Sequence, residues 1–307
     1  MSRPYFSICL PSYNGIKTIT RAVESVCGQT FRDWHLTIID DFSTDGTWEL
    51  LLREYASHPQ ITIIQNRKNL GLRQNLNRCL ESAEGYWLGI LGQDDTYRLH
   101  ALETIHEQLN PRNDVVLWAH GEFAHAGGRI PNAVPIFTHV QEFLADNLAD
   151  ILYRRGNIFG VISSYFLSME RIRESKLSFI DGTMFVDLRF YLRLLKHFPN
   201  HKAIYWPDLL CSVNTDETTA SHRLTKLGYA QLDLISSMGD LAVLGWKRST
   251  LLYQLIRLLR CSLRFRPALL SIPGGKAASW EAARSLISKL WNPKCDVIVD
   301  ATVKPCK

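Results

Sequence analysis

Three short stretches of this chain place carboxylates, amides or hydroxyls where an apolar run stops. Leu10-Pro-Ser-Tyr-Asn14 closes the first run, Asp40-Asp-Phe-Ser-Thr-Asp-Gly46 follows the second, and Gly92-Gln-Asp-Asp95 follows another. Converging carboxylates repel one another, so the pairs Asp40-Asp41 and Asp94-Asp95 need a physical reason. One reading is turn chemistry, because Asp and Asn cap helices and tolerate tight turns. That reading covers Asp45 and Asp40, but it covers Asp94-Asp95 poorly, since neither a cap nor a turn requires both carboxylates. The other reading is a hard divalent cation, Mg²⁺ or Mn²⁺, which takes oxygen ligands and would neutralise the pair while holding a diphosphate. The chain has no Walker loop and no G-x-G-x-x-G, so a phosphate would be held through metal and not by a glycine cradle.

The elements that must position these residues are readable from periodicity. Phe6–Leu10, Trp34–Ile39, Ile61–Ile64 and Tyr86–Leu91 are short apolar or β-branched runs, each ending in polar loop residues. Between them, Ile16, Ile19, Ala22, Val23 and Val26 recur at helical spacing, as do Leu50, Leu51 and Tyr55, and then Leu72, Leu76, Cys79 and Leu80. Thr44 or Asp45 is placed to cap the second helix. Strands alternating with helices argue for βαβ units and an α/β fold with a mostly parallel central sheet. In such sheets ligands bind at the carboxyl ends of the strands, which is where the acidic loops fall.

Composition narrows the class. Of 307 residues, 46% are apolar and 21% charged, which excludes wholesale disorder, collagen-like repeats and a multi-span membrane protein. The net charge of +5 is too mild to argue for nucleic acid. The N-terminus has no charged-then-apolar leader, and no apolar run of about 18 residues is free of Arg and Lys, so neither secretion nor a spanning helix is expected. Seven cysteines at irregular spacing, with no C-x-x-C, read as reduced thiols in a cytoplasmic protein.

Four ordered motifs carry a resemblance. Leu10-Pro-Ser-Tyr-Asn14, Ile39-Asp-Asp-Phe-Ser-Thr-Asp-Gly-Thr47, Asn69-Leu-Gly71 with Asn75, and Leu91-Gly-Gln-Asp-Asp95 together resemble a family 2 glycosyltransferase, closely over about the first 110 residues and more loosely to about residue 225. The resemblance implies a GT-A (Rossmann-like) fold, a nucleotide-sugar donor, a divalent metal and inversion at the anomeric carbon. It implies a UDP-sugar first, with a dTDP- or GDP-sugar as the alternatives. Pro11 and Tyr13 would line the base pocket, with the Tyr13 ring stacked on the nucleobase or simply packed. Asp41 would accept a hydrogen bond from the base, or else only brace its loop. Asp94 would lie near the ribose and donor sugar, and Asp95 would bind the metal. Gln93 stands where the family often has an Asp.

The second half is expected to hold the acceptor and the base. Gly156-Asn-Ile-Phe-Gly-Val-Ile-Ser-Ser164 is similar to the family's acceptor-side segment. Phe185, Leu188, Leu192 and Leu195 then share one side of a helix, and Asp187 lies near its start. The resemblance makes Asp187 the general base, with Val186 where the family has a Glu; the competing role is a helix-start carboxylate favoured by the macrodipole. One positioned base suffices to take the proton of an attacking hydroxyl. His222, in the polar segment after Asn214, is a candidate metal ligand or a surface histidine.

Between Asp240 and Glu281 there are seven basic side chains and no carboxylate. Leu252, Leu255, Ile256, Leu259 and Leu263 form an apolar helical stripe with Arg257, Arg260 and Arg264 along its flank. Such a segment, 247–266, suits peripheral contact with anionic lipid, or packing on the catalytic domain or a second subunit. The domain expectation is a nucleotide-sugar-binding half at 1–112, an acceptor half at 113–225, and a basic helical extension at 226–307. The function expected is transfer to a hydroxyl of a glycan or lipid-linked saccharide, as in bacterial surface polysaccharide assembly. A non-catalytic nucleotide-sugar-binding subunit is the alternative. A sugar-nucleotide nucleotidyltransferase would want a Gly-rich phosphate loop with a nearby Lys or Arg after the first strand, which Pro11-Ser-Tyr-Asn-Gly15 does not supply.

Overall fold

Runs rich in Ile, Leu and Trp that end at Pro or Asp become strands, and runs with apolar residues three and four apart become helices. The computed structural model describes residues 3–109, 114–125, 128–129, 139–155, 162–180 and 186–214, with single positions at 252, 255, 256 and 287. The first half runs β1 (Phe6–Ser12), α1 (Ile19–Cys27), β2 (Trp34–Asp40), α2 (Thr47–Tyr55), β3 (Ile61–Gln65), α3 (Leu72–Ser82), β4 (Trp87–Ile90), β5 (Thr96–Tyr97) and α4 (Ala101–Gln108). The second runs β6 (Asp114–His125), β7 (Gly128–Arg129), β8 (Gln141–Leu144), α5 (Ala145–Arg155), a 3₁₀ turn (Ile162–Ser164), β9 (Tyr165–Ser168), α6 (Met169–Ser175), α7 (Val186–His197) and β10 (Lys202–Asn214).

The sheet order is β3-β2-β1-β4-β9-β6-β10-β5, with β7 paired to β6 and β8 to β10. The first four strands in that order are all parallel. β9 then enters antiparallel to both β4 and β6, and β10 runs parallel to β6. The expected α/β architecture with a mostly parallel sheet is the one found. The chain leaves β1 for β2 and β3 on one side and returns to β4 on the other. The strand order therefore reverses beside β1, and a reversal of this kind opens a crevice at the strands' carboxyl ends.

Both faces of the inner strands β1, β2, β4 and β9 are covered, so these strands are buried on both sides, while β3 and β8 at the margins are not. On β1, Phe6, Ile8 and Leu10 join a layer with Ile19, Val23 and Val26 of α1 and Leu102 and Ile105 of α4. Cys9 points the other way, into a layer with Leu76 and Cys79 of α3 and Leu188, Tyr191 and Leu195 of α7. Ile16 and Tyr86 depart from expectation: both lie just outside their elements and are exposed, because α1 starts only at Ile19 and β4 at Trp87. Of the basic extension only Leu252, Leu255, Ile256 and Ile287 are described, all helical; Leu255 packs partly buried against the α7-side layer, while Leu252 and Ile256 are exposed.

Candidate active site

The crevice beside β1 is built from backbone that one side chain holds in place. Gln93, just past β4, reaches the loop that leaves β1. Its Oε1 accepts from the Ser12 hydroxyl (2.9 Å) and the Tyr13 N–H (2.9 Å), and its Nε2 donates to the Tyr13 carbonyl (3.1 Å). Gly15 permits this closeness, since a Cβ there would lie 2.5 Å from Gln93 Oε1. Pro11 sits at the end of β1, and the Tyr13 ring is 45% exposed at the crevice.

The loop after β2 is cross-braced. Asn14 adopts a left-handed φ of 50°; its N–H donates to Ser43 Oγ and its Oδ1 accepts from the Thr44 N–H. Asp40 takes the Ser43 N–H and hydroxyl and the Gln65 amide. The N-cap of α2 is Gly46, in the left-handed region, and not Thr44 or Asp45; Asp45, one residue earlier, accepts from the N–H and hydroxyl of Thr47, the first residue of α2. Asp41 is 2% exposed. Its Oδ1 accepts from Asn66 Nδ2 and the Leu70 N–H, and its Oδ2 from the Gly71 N–H, each at 2.8 Å. The carboxylate thus braces the Asn69-Leu-Gly71 segment, and one of its oxygens carries a single bond. Phe42, directly after Asp40-Asp41, has φ of 63° and is half-exposed. A bulky residue in this region is uncommon and stores strain that the surrounding bonds must hold.

On the turn after β4, Asp94 is half-buried and Asp95 is only 5% exposed. Asp95 Oδ2 accepts from the Ser163 hydroxyl (2.5 Å) and Oδ1 from the Asn214 N–H (3.0 Å). Ser163 also accepts from the Gly92 N–H (2.9 Å), so the 3₁₀ turn closes over the acidic turn. Burial, then the neighbouring Asp94 charge, push the Asp95 carboxyl up to about 7, against the partial relief of those two hydrogen bonds.

Asp187 is the second residue of α7, half-buried, with its Oδ1 accepting from the Leu188 N–H (2.8 Å). Tyr165 and Tyr191 stack beside it at 3.8 Å between ring centroids. Burial and then the Asp187 charge push both phenols up, and Tyr97 adds to the effect on Tyr191. Tyr97 is itself raised by burial, by Cys211 and by Asp95. A buried tyrosine cluster therefore connects the surroundings of Asp187 with those of Asp95. His222 lies outside the described residues.

Residues 7–184, more than half of the chain, match glycosyl transferase family 2. The chain belongs to this family. A chondroitin synthase of Escherichia coli is 39% identical over 100 residues, which are 33% of this chain and 14% of that protein. Glycosyltransferase GlyG of Streptococcus pneumoniae is 24% identical over 198 residues, 61% of this chain and 64% of that one. The chain spans less than two thirds of the length of these relatives. Among solved structures, S. aureus TarS 1-349 in complex with UDP-GlcNAc aligns with a TM-score of 0.66 at 16% identity, over 92% of this chain and 90% of that one. A mannosyltransferase from Pyrobaculum calidifontis in complex with GDP-Man and Mn²⁺ aligns at 0.59 and 15% identity, over 95% and 88%. At these identities the likeness is one of fold, and that fold is GT-A.

Whether the family's divalent metal suits this chain can be tested on the acidic turn. Among the described residues no group of three or more His, Cys, Asp or Glu side chains could hold an ion unaided. Asp94 and Asp95 nevertheless fit a hard cation: they are oxygen donors on one turn, and their mutual repulsion is a charge that a cation would relieve. The remaining ligands would come from phosphate oxygens. Sequence reasoning missed Gln93 as a contact of Tyr13, Ser163 as a donor to Asp95, and the Asn214 backbone. Gln93 and Ser163 lay in stretches singled out beforehand, Leu91–Asp95 and Gly156–Ser164, but neither contact had a signal of its own.

Proposed function

We propose that the chain is an inverting glycosyltransferase. It moves a sugar from a nucleoside-diphosphate sugar, a UDP-sugar before a dTDP- or GDP-sugar, to a hydroxyl of a glycan or lipid-linked acceptor in bacterial surface polysaccharide assembly. The observation that carries this reading is the pair of a half-buried Asp94 and a buried, raised Asp95 beside the Pro11–Tyr13 loop at the sheet's switch point. A relative named as a chondroitin synthase and a fold neighbour bound to UDP-GlcNAc support it.

In this reading the exposed Tyr13 ring stacks on the nucleobase, beside Pro11. Asp41 offers its less occupied oxygen to the base, and Asp94 orients the ribose and donor sugar. Asp187 takes the proton from the acceptor hydroxyl as that oxygen bonds to the anomeric carbon. The bond from that carbon to the diphosphate oxygen breaks in the same displacement, and the diphosphate leaves with the electron pair. Attack from the opposite face inverts the configuration. Asp95 and Asp94, with His222 as a further candidate ligand, would hold Mg²⁺ or Mn²⁺, which supplies charge neutralisation to the departing diphosphate. Peripheral membrane contact through 247–266 would bring the chain to a lipid-linked acceptor at the cytoplasmic face. A second reading, a nucleotide-sugar-binding subunit without turnover, rests only on Val186, which is buried in the core where the family has a Glu.

The test is a thermal-shift series with UDP, GDP, dTDP and CMP compounds, each with and without Mn²⁺, on the wild type and on Asp187→Asn. One nucleoside diphosphate should raise the melting temperature in a metal-dependent way, equally in both proteins. Asp187→Asn should then lose donor turnover by about 10²-fold or more while keeping that shift. Wild-type turnover in the variant would remove Asp187 from the base role. No shift with any nucleotide would sink the donor site.

A further inference from the structure

We propose that Gln93 is the positioning residue that locks the nucleobase loop onto the acidic turn, and that it acts as a neutral amide, satisfying both backbone groups of Tyr13. This rests on the reading of Tyr13 as a nucleobase contact and adds to it the device that holds the ring in place.

The orientation of the amide is determined by its partners. Oε1 faces two donors, the Ser12 hydroxyl and the Tyr13 N–H, and Nε2 faces an acceptor, the Tyr13 carbonyl. Flipping the amide would set N–H groups against the Tyr13 N–H and a lone pair against its carbonyl. A carboxylate at this position could accept from the two donors but has nothing to give the carbonyl. It would also place a third negative charge beside Asp94 and Asp95, the latter already raised by burial and then by the Asp94 charge. The loop is shaped to this side chain. Gly15 leaves room that any Cβ would fill, and Asn14 turns the backbone through a left-handed conformation directly after Tyr13.

The consequence falls on the Tyr13 ring. That ring is 45% exposed and has no stacking partner among the described residues, so its direction is set by backbone. The Gln93 amide fixes both polar groups of that backbone, and it is anchored on the residue next to Asp94. A base stacking on Tyr13 and a diphosphate at Asp94-Asp95 would therefore meet a crevice whose two sides are already in register. Pre-ordering of this kind raises affinity by removing an ordering cost from the binding step.

The test uses Gln93→Met, which keeps length and removes all three hydrogen bonds without charge, and Gln93→Glu, which keeps the acceptor and removes the donor. UDP is titrated calorimetrically in Mn²⁺, or whichever nucleotide of UDP, GDP, dTDP and CMP the wild type binds best. For Gln93→Met the expected result is a Kd about tenfold weaker, from loss of bonds that are individually modest. The unliganded melting temperature should fall by no more than about 4 °C, because Gln93 is only half-buried and its two bonds to Tyr13 are exposed. In acceptor-free hydrolysis of the donor, KM should rise by the same factor while kcat at saturating donor stays within about twofold, the signature of lost positioning. Gln93→Glu should weaken UDP at least as much. Binding within about twofold of wild type in both variants overturns the inference and leaves the proposed donor site intact. A wild type that binds none of the four nucleotides sinks that site and this inference together.

Discussion

Asp95 is a carboxylate that this fold keeps protonated more readily than water does. Its unfolded value lies near 3.9, and burial with the Asp94 charge lifts the folded value to about 7. The sign follows from linkage. Between these values the folded state holds more protons than the unfolded one, so stability is fullest below about pH 4 and is lost as pH rises through about 7. For this group the metal-free protein should melt at falling temperature from about pH 4.5 to 8, and Mn²⁺ should restore more stability at pH 8 than at pH 5.5. Asp95→Asn should flatten the metal-free pH profile and abolish the Mn²⁺ effect. A variant with the wild-type profile would mean that another group carries the dependence. At this scale the acids were legible because two carboxylates after an apolar run lack a turn explanation. Their partners were not: Ser163 and Asn214 lie 68 and 119 residues away, and a serine hydroxyl or a backbone N–H leaves no pattern in sequence.

Among elements, the parallel half was readable because β1, β2 and β4 are buried on both faces, β3 is a β-branched run, and each helix keeps one apolar stripe. The entry of β9 between β4 and β6, and the two-residue β5 against β10, were not readable, since pairing partners so far apart share no local signal. One link between elements carries its own prediction. Asn75 on α3 is 3% exposed; its Nδ2 donates to the Ile39 carbonyl of β2, and its Oδ1 accepts from Asn66, which in turn donates to Asp41. Asn75→Ala removes the side-chain donor to the Ile39 carbonyl and takes the Asn75 acceptor from Asn66, which should cost about 1–3 kcal/mol in a denaturant titration. Because the same chain of bonds sets Asp41, nucleotide affinity should fall too. A loss of stability with unchanged nucleotide binding would separate Asp41 from the base.

For the molecule as a whole, positive charge is concentrated between Asp240 and Glu281, while the acidic turns gather at the sheet's carboxyl edge. Among the described residues no helix is long and apolar enough to cross a membrane. Leu255 packs on the core while Leu252 and Ile256 face outward, so the apolar stripe is divided between protein and surroundings. If the outward part meets lipid, replacing Arg257, Arg260 and Arg264 with Gln should release the protein from phosphatidylglycerol vesicles, at about 1 kcal/mol per arginine. Co-sedimentation as strong as that of the wild type would assign the stripe to packing. The closure of the acidic turn has a consequence in time. Asp95 is joined to a backbone group 119 residues further on. At roughly 5–20 residues per second of synthesis, that partner emerges on the order of ten seconds later. Through that interval the nascent chain presents an open, doubly acidic turn. The first four strands can pair during synthesis, but the candidate site is complete only once β10 has been made.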